Sequence, residues 1–349
     1  MTGKMQIDKI FIVLTPFHNK AFSALYKEEM LGSNVLIIKE GYLSDSLWKK
    51  SKAIIIENPS KQFRVNELRR DFFNTLKGYR SEIKKIQNFC DSLLNEHQFS
   101  RNVVVNIGSD RDPFTQIFLN RLFDATPKKQ IELMAFDEGI GYYDNSNWVD
   151  SIKRFIYPVL SPILLGEKIR FFKPLGRDKR ITKVYCRFPE YISNNGFSKY
   201  EKLVVRENDK EGVYNPLSDR ILVFSFPNQD LEIPEEQKWK WISSLIEQTD
   251  TNEVFVKLHP REKKPEVTRS EQKWTFLDGQ LPLEDLNYFD YKYIVNFSSS
   301  IVMDIVSSSF PNDKVITIDF GLNLNLSSLY NQTNLIKVNE ISSTSKIRL

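Results

Sequence analysis

The feature that most constrains this chain is a recurrence of short, largely apolar runs separated by stretches with helical spacing. Residues 9–14 (KIFIVL) end at Thr15-Pro16, and runs at 34–38 (NVLII), 52–56 (KAIII), 102–107 (NVVVNI) and 130–136 (QIELMAF) follow. Runs this apolar have no face to give to water, so they read as buried strands of a parallel sheet. Strands that alternate with helices make an α/β fold. The alternation restarts at 220–224 (RILVF) and continues through a helix around 235–247, then 253–258 (EVFVKL), 274–277, 291–297 (YKYIVNF) and 314–318 (KVITI). A chain of 349 residues has the length for two such domains. The polar segment 207–219 (ENDKEGVYNPLSD) is the expected linker. The reading is an N-terminal Rossmann-like domain over 1–205 with a long helical insert, and a C-terminal one over 215–349 whose last segment can cross back.

Two stretches fit the alternation less well. Val65, Leu68, Phe72, Leu76, Tyr79, Ile83, Ile86, Cys90 and Leu93 recur at three- and four-residue steps, which predicts a long amphipathic helix or a helix pair broken near Gly78. From 145 to 203 the pattern degrades, and 151–175 (SIKRFIYPVLSPILLGEKIRFFKPL) mixes aromatic and branched residues with Lys153, Arg154, Lys168, Arg170 and Lys173. An apolar face bordered by cations suits a membrane interface, while Pro158 and Pro162 are expected to break any single helix. The other reading of this stretch is an interdomain helix pair with solvated basic residues.

Charge and cysteine usage narrow the class. With 49 Lys+Arg against 45 Asp+Glu, the net charge of +4 gives no reason to expect a nucleic-acid partner. Two cysteines far apart, Cys90 and Cys186, make neither a disulfide framework nor a zinc site. The opening MTGKMQIDK lacks the apolar core of a signal peptide, and no apolar run is long enough to span a bilayer. The expectation is a cytoplasmic protein, soluble or peripheral at the inner face of the membrane.

The residues able to do chemistry lie where these strands end. His259-Pro260 directly follows EVFVKL, at the carboxyl end of a strand, where open α/β sheets bind ligands. Ser298, Ser299 and Ser300 follow YKYIVNF and open a helix, so hydroxyls and free N–H groups meet there, as a phosphate needs. Asp137-Glu138-Gly139 follows QIELMAF in the N-terminal half, and a carboxylate so placed can take a proton from a hydroxyl. Asp110-Arg111-Asp112 has a metal-binding spacing, yet it reads as a loop near the acceptor side. Thr15 and His18, in the loop after the first strand, are candidates for the same side.

Taken together, a carboxylate from one α/β domain and a His and serine cluster from the other match the GT-B architecture, two Rossmann-like domains facing across a cleft. The ordered set resembles the bacterial sialyltransferases, whose shared motifs are an acidic-acidic-Gly triplet, a His-Pro pair and a Ser-Ser/Thr pair. The opening KIFIVLTPFHNKAF is similar to that of the lipooligosaccharide and capsule sialyltransferases. The resemblance implies Asp137 as the general base, with Glu138 and Gly139 supporting the turn. It implies His259 on the departing CMP phosphate beside Pro260, with Ser298 and Ser299 on the same phosphate and Ser300 as a weaker candidate. The implied activity is inverting, metal-independent transfer of sialic acid from CMP-sialic acid to a hydroxyl of a bacterial surface glycan. The glycan is a capsule or lipooligosaccharide, free or lipid-linked, and no cofactor is implied. Polysialyl transfer, or another cytidine-nucleotide donor such as CMP-Kdo or CDP-glycerol, remains open at this level. So does a non-catalytic module that dimerises through the long helix or docks on membranes.

Overall fold

A computed structural model describes residues 6–15, 18–19, 21–22, 34–40, 53–58, 72–126, 130–137, 142–143, 148–173, 175–192, 200–202, 219–226, 234–247, 249, 251, 253–259, 262, 265, 273–277, 281, 286–297, 301–306, 308, 310–319 and 330–337. By internal contacts the chain divides into two units, Met1–Arg206 and Glu207–Leu349.

The first unit carries a seven-stranded sheet built from β1 (Gln6–Val13), β2 (Val35–Lys39), β3 (Ile54–Glu57), β4 (Gln98–Ile107), β5 (Gln130–Phe136), β6 (Ile181–Cys186) and β7 (Tyr200–Lys202). The order is β3-β2-β1-β4-β5-β6-β7, and every neighbouring pair is parallel. Ile10, Phe11, Ile12 and Val13 of β1 and Leu36, Ile37 and Ile38 of β2 are buried, as strands covered on both faces require. The chain reverses its winding direction between β1 and β4, which creates a switch point at their carboxyl ends.

Three helices of this unit are described: α1 (Phe72–Glu96), α2 (Pro113–Ala125) and α3 (Trp148–Leu165). In α1 the three- and four-residue periodicity holds, with Ile83, Ile86, Cys90 and Leu93 buried. Gly78 lies inside it without a break, so of the two forms expected the single long helix is found: one interior glycine costs only about 1 kcal/mol and packing along the rest exceeds that. The expected break at Pro158 and Pro162 is likewise absent, since α3 runs through both. Each proline removes one backbone donor, and side-chain anchors described below hold the far end in place.

Residues 145–203, where the sequence pattern degraded, thus hold a helix and two further strands. β6 hid because only Ile181, Val184 and Cys186 are buried, so it never forms a continuous apolar run. Cys90 and Cys186 are both free and buried, and burial pushes each thiol up to about 12.

The second unit repeats the plan with six parallel strands: β8 (Arg220–Phe224), β9 (Glu253–Lys257), β10 (Lys273–Leu277), β11 (Tyr293–Asn296), β12 (Val315–Asp319) and β13 (Asn334–Lys337). Their order is β10-β9-β8-β11-β12-β13, which places a second switch point between β8 and β11. Two helices are described here, α4 (Glu235–Ile246) and the six-residue α5 (Ile301–Val306). Ile221, Val223, Ile242, Leu245, Val254, Val256, Val295 and Ile316 form the core between α4 and the sheet. The final strand β13 belongs to this sheet; residues 338–349, expected to cross back, lie outside the described residues. Both units are therefore Rossmann-like.

Candidate functional site

In the second unit, β9 ends at Lys257 and delivers His259 to the carboxyl edge, one strand from the switch point. The loop that carries it is tied by its own backbone and by one carboxylate. The Glu262 N–H donates to the His259 carbonyl at 2.8 Å, and the His259 N–H donates to Glu262 Oε2 at 2.9 Å. Glu262 Oε1 in turn accepts from Lys238 Nζ, an ion pair in which the lysine side chain is fully buried and the glutamate nearly so.

Lys238 also donates to Ser225 Oγ and to the Phe226 carbonyl, each at 3.1 Å, and Ser225 Oγ lies 2.9 Å from Glu262 Oε1. The ammonium sits 4.5 Å from the centroid of the Trp239 ring. A buried charge survives only when paired and hydrogen-bonded, and this one is both. The network joins α4, the end of β8 and the loop after β9. It fixes the backbone of His259, a half-buried residue whose ring lies 6.1 Å from that of Phe226.

Pro260 and Ser298, Ser299 and Ser300 lie outside the described residues. In the chain the serines follow β11, the strand on the other side of β8 from β9. The helix they precede in the chain, α5, is described over Ile301–Val306.

The first unit presents a different edge. Asp137, directly after β5, is fully buried and has both oxygens engaged. Arg187 donates to it from Nη2 at 3.1 Å, from Nε at 3.2 Å and from its backbone N–H at 3.1 Å. The Tyr143 hydroxyl adds a further short bond. Burial first, and then the Asp137 charge, push the Tyr143 hydroxyl far above its ordinary range, so it stays a donor.

Asp137, expected as the base that meets an acceptor, is thus placed against Arg187 and away from solvent. A carboxylate with no solvent exposure and a guanidinium on both oxygens instead holds the ends of β5 and β6 together. Glu138 and Gly139, its neighbours in the motif, lie outside the described residues.

His18 completes the same cluster. Its N–H donates to Thr15 Oγ1 at 3.2 Å, so Thr15 caps the turn that carries it. The ring is fully buried, stacks on Phe22 at 5.6 Å, and is pushed down to about 4, chiefly by burial. It is therefore neutral near pH 7. Gly108, after β4, is what lets it pass: a Cβ at that position would stand 1.7 Å from the imidazole Cε1. Tyr142 donates to the Gly108 carbonyl at 2.8 Å and fixes that crossing.

Asp110 is buried as well and accepts from the Gly176 and Asp178 backbone N–H groups at 3.1 and 2.9 Å. Burial pushes it up to about 6. Asp112 caps α2 by accepting from the Thr115 N–H at 2.7 Å. The Asp-x-Asp spacing thus serves the loop and the helix. Thr15, His18 and Asp110, expected on an acceptor-facing side, are committed to internal contacts.

Sequence reasoning missed Lys238, Glu262, Ser225, Arg187 and Tyr143. The one available signal was Glu262, three residues beyond His259, the spacing at which a carboxylate reaches back to a backbone N–H. Arg187 follows a strand that was itself unseen, and nothing in EEQKWKW marks Lys238 as buried. At the end of β2, Glu40 is a further group with an altered proton affinity: burial, aided by Asp112, pushes it up to about 7, and Asn58 Nδ2 donates to it at 3.0 Å.

The family model described as alpha-2,8-polysialyltransferase matches residues 9–319. Among solved structures, an alpha/beta-galactoside alpha-2,3-sialyltransferase from Photobacterium phosphoreum is similar in fold, with TM-score 0.55 and 11% identity. That match covers 97% of this chain and 100% of that one. The glycosyltransferase of kitacinnamycin gives TM-score 0.57 at 8% identity over 98% and 88% of the two chains. The calicheamicin glycosyltransferase CalG4 gives 0.55 at 10% over 97% and 87%. At these identities the likeness shows the GT-B fold alone. No curated protein matches the chain in sequence.

Proposed function

The chain belongs to the alpha-2,8-polysialyltransferase family, and on that premise we propose that it moves sialic acid from CMP-sialic acid to a hydroxyl of a sialic-acid-ended glycan. The family assignment makes it a glycosyltransferase of the sialyltransferase type. Donor identity, inversion and repeated addition are the content of the proposal. The observation that carries it is the His259 loop: a half-buried histidine at the carboxyl end of β9, with its backbone held by Glu262 over a buried lysine.

Cleavage of the bond between the anomeric carbon and phosphate leaves negative charge on CMP. A fixed donor at that phosphate gains strength as the bond breaks, so it stabilises the transition state more than the ground state. His259 serves as this donor in the proposal, with Pro260 shaping the loop. Ser298 and Ser299 add hydroxyls, and Ser300 stands next in line. The leaving group carries one phosphate, whose charge these donors match, so the mechanism uses no metal. Because the Asp137 carboxylate is committed to Arg187, the base function passes to Glu138, its neighbour in the motif. Direct attack by a deprotonated hydroxyl inverts the anomeric centre and forms no covalent intermediate. The acceptor is a bacterial surface glycan in this reading.

Thermal shift and a transfer assay test it together. CMP is expected to raise the midpoint more than UDP, GDP or ADP, because a ligand of the folded state stabilises by mass action. His259→Ala is expected to keep the fold, lose the CMP shift and lower transfer from CMP-sialic acid by about 10²- to 10³-fold. Glu138→Gln is expected to lower turnover at unchanged donor KM. Preference for UDP, or near-normal transfer by His259→Ala, overturns the reading. A larger shift with CDP moves the donor to another cytidine nucleotide, and products of a single added residue remove the polymerase part.

A further inference from the structure

The strongly exposed large hydrophobic side chains recorded among the described residues all belong to one helix, α3. Trp148 is 74% exposed, Phe155 78% and Ile163 69%. With Ile152 and Val159 they recur at steps of four, three, four and four residues, so they form a single stripe along one face. The two residues of α3 that are buried are polar, Asp150 and Ser161. This helix is therefore inside out for a water-facing surface, in a chain whose mean hydropathy is −0.39.

The stripe rests on a firm support. Arg80 of α1 donates from Nη2 to the Ile163 carbonyl at 3.1 Å and from Nε to that of Leu164, and Gln87 donates to Gly166 O at 3.3 Å. Ser161 Oγ accepts from the Ile169 N–H at 2.8 Å and donates back to its carbonyl at 3.1 Å. Gly166, at φ +74°, closes the helix.

Charge identifies the occupant. Residues 148–173 hold five cations and two carboxylates. Both acids are engaged, Asp150 by Lys173 at 3.6 Å and Glu167 by Arg121 at 3.4 Å. Of the other cations, Lys168 and Arg170 are exposed, Lys153 lies 5.3 Å from the Phe171 ring and Arg154 has its Nε buried. An apolar stripe in a segment with surplus positive charge, two of its cations exposed, complements an anionic lipid surface. In a two-fold contact between copies the same surplus would face itself.

We propose that α3 docks flat on an anionic bilayer, with Trp148, Phe155 and Ile163 in the boundary between headgroups and acyl chains and the exposed Lys168 and Arg170 on lipid phosphates. It lies on the membrane and does not cross it: no helix among the described residues is long and apolar enough to span. This inference is independent of the donor assigned above.

Co-sedimentation of the full chain with vesicles tests it. Vesicles of phosphatidylglycerol and phosphatidylcholine in equal parts are expected to bind at least about tenfold more tightly than phosphatidylcholine alone, with the preference fading at high salt. Phe155→Glu and Ile163→Glu, both at exposed positions, are expected to reduce binding at least about tenfold while the melting midpoint and transfer to a soluble acceptor stay unchanged. Paired Lys168→Gln and Arg170→Gln are expected to weaken binding roughly tenfold or more and to flatten its salt dependence. Equal binding to both vesicles, or unaltered binding by Phe155→Glu, overturns the proposal. So does a dimer that Phe155→Glu dissociates in a protein that ignores vesicles, which would assign the stripe to a second copy.

Discussion

The two units share one strand order and place buried ion pairs at the same end of their sheets, yet they use them in opposite ways. In the first unit the Asp137–Arg187 pair, with Tyr143 and neutral His18, forms a buried cluster at the carboxyl edge. In the second the Lys238–Glu262 pair lies beneath a loop, and the residue it positions, His259, is only half-buried. A buried charge is costly wherever it sits, so its location tells what it is for. In the first unit it joins β5 to β6; in the second it joins α4 to a loop able to meet a ligand.

That contrast can be broken by removing one partner at a time. Asp137→Ala strands the Arg187 guanidinium in a dry site, and the expected cost is about 3–5 kcal/mol of stability. Chemical denaturation would register this as a lower midpoint, and a stable variant that lost only turnover would return Asp137 to the chemistry.

Lys238→Met should cost somewhat less, about 3 kcal/mol, because the stranded Glu262 carboxylate still accepts from the Ser225 hydroxyl and the His259 N–H. Adding Glu262→Gln removes the stranded charge, so the double variant is expected to regain most of the stability. If the pair positions His259, transfer stays about tenfold down with the loss in kcat rather than donor KM. Full recovery of both properties would make the pair purely structural.

The smallest effect concerns pH. The His18 value in the folded state, about 4, lies below the ordinary 6.5, so between them the unfolded chain takes a proton that the native state refuses. Its contribution is complete above pH 6.5 and is lost as pH falls toward 4. Asp110 acts with the opposite sign, because its raised value makes the native state bind a proton first between about 6 and 3.8. Comparing His18→Gln with the parent isolates the histidine, and the parent should lose about 1 kcal/mol more stability at one pH unit below 6.5. Parallel pH profiles would show that the imidazole takes up its proton over the same pH range folded and unfolded, and would remove the shift.

The strands of both sheets that pack on two faces were legible because an uninterrupted β-branched run has few alternatives. β5 and β8 lie where the apolar runs predicted them. β6 and β7 were not legible, since strands toward the sheet edge carry only partial burial and resemble loops in one dimension. The prolines of α3 misled for a related reason: their local penalty is visible in sequence, whereas the contacts from Arg80 and Ser161 that hold the far end of the helix come from distant residues or from its own return segment.

His259 was found because it follows directly on a readable strand. Lys238, which holds its loop through Glu262, was not, because a lysine in a polar helix gives no sign of burial until the sheet is in place. Sequence alone determined the two α/β halves, the strand ends and the three short motifs, all of which depend on neighbours in the chain. The tertiary structure decided which charges are sealed and which are presented. Desolvation and ion pairing depend on groups brought together from far apart, as Asp137 and Arg187 are across fifty residues.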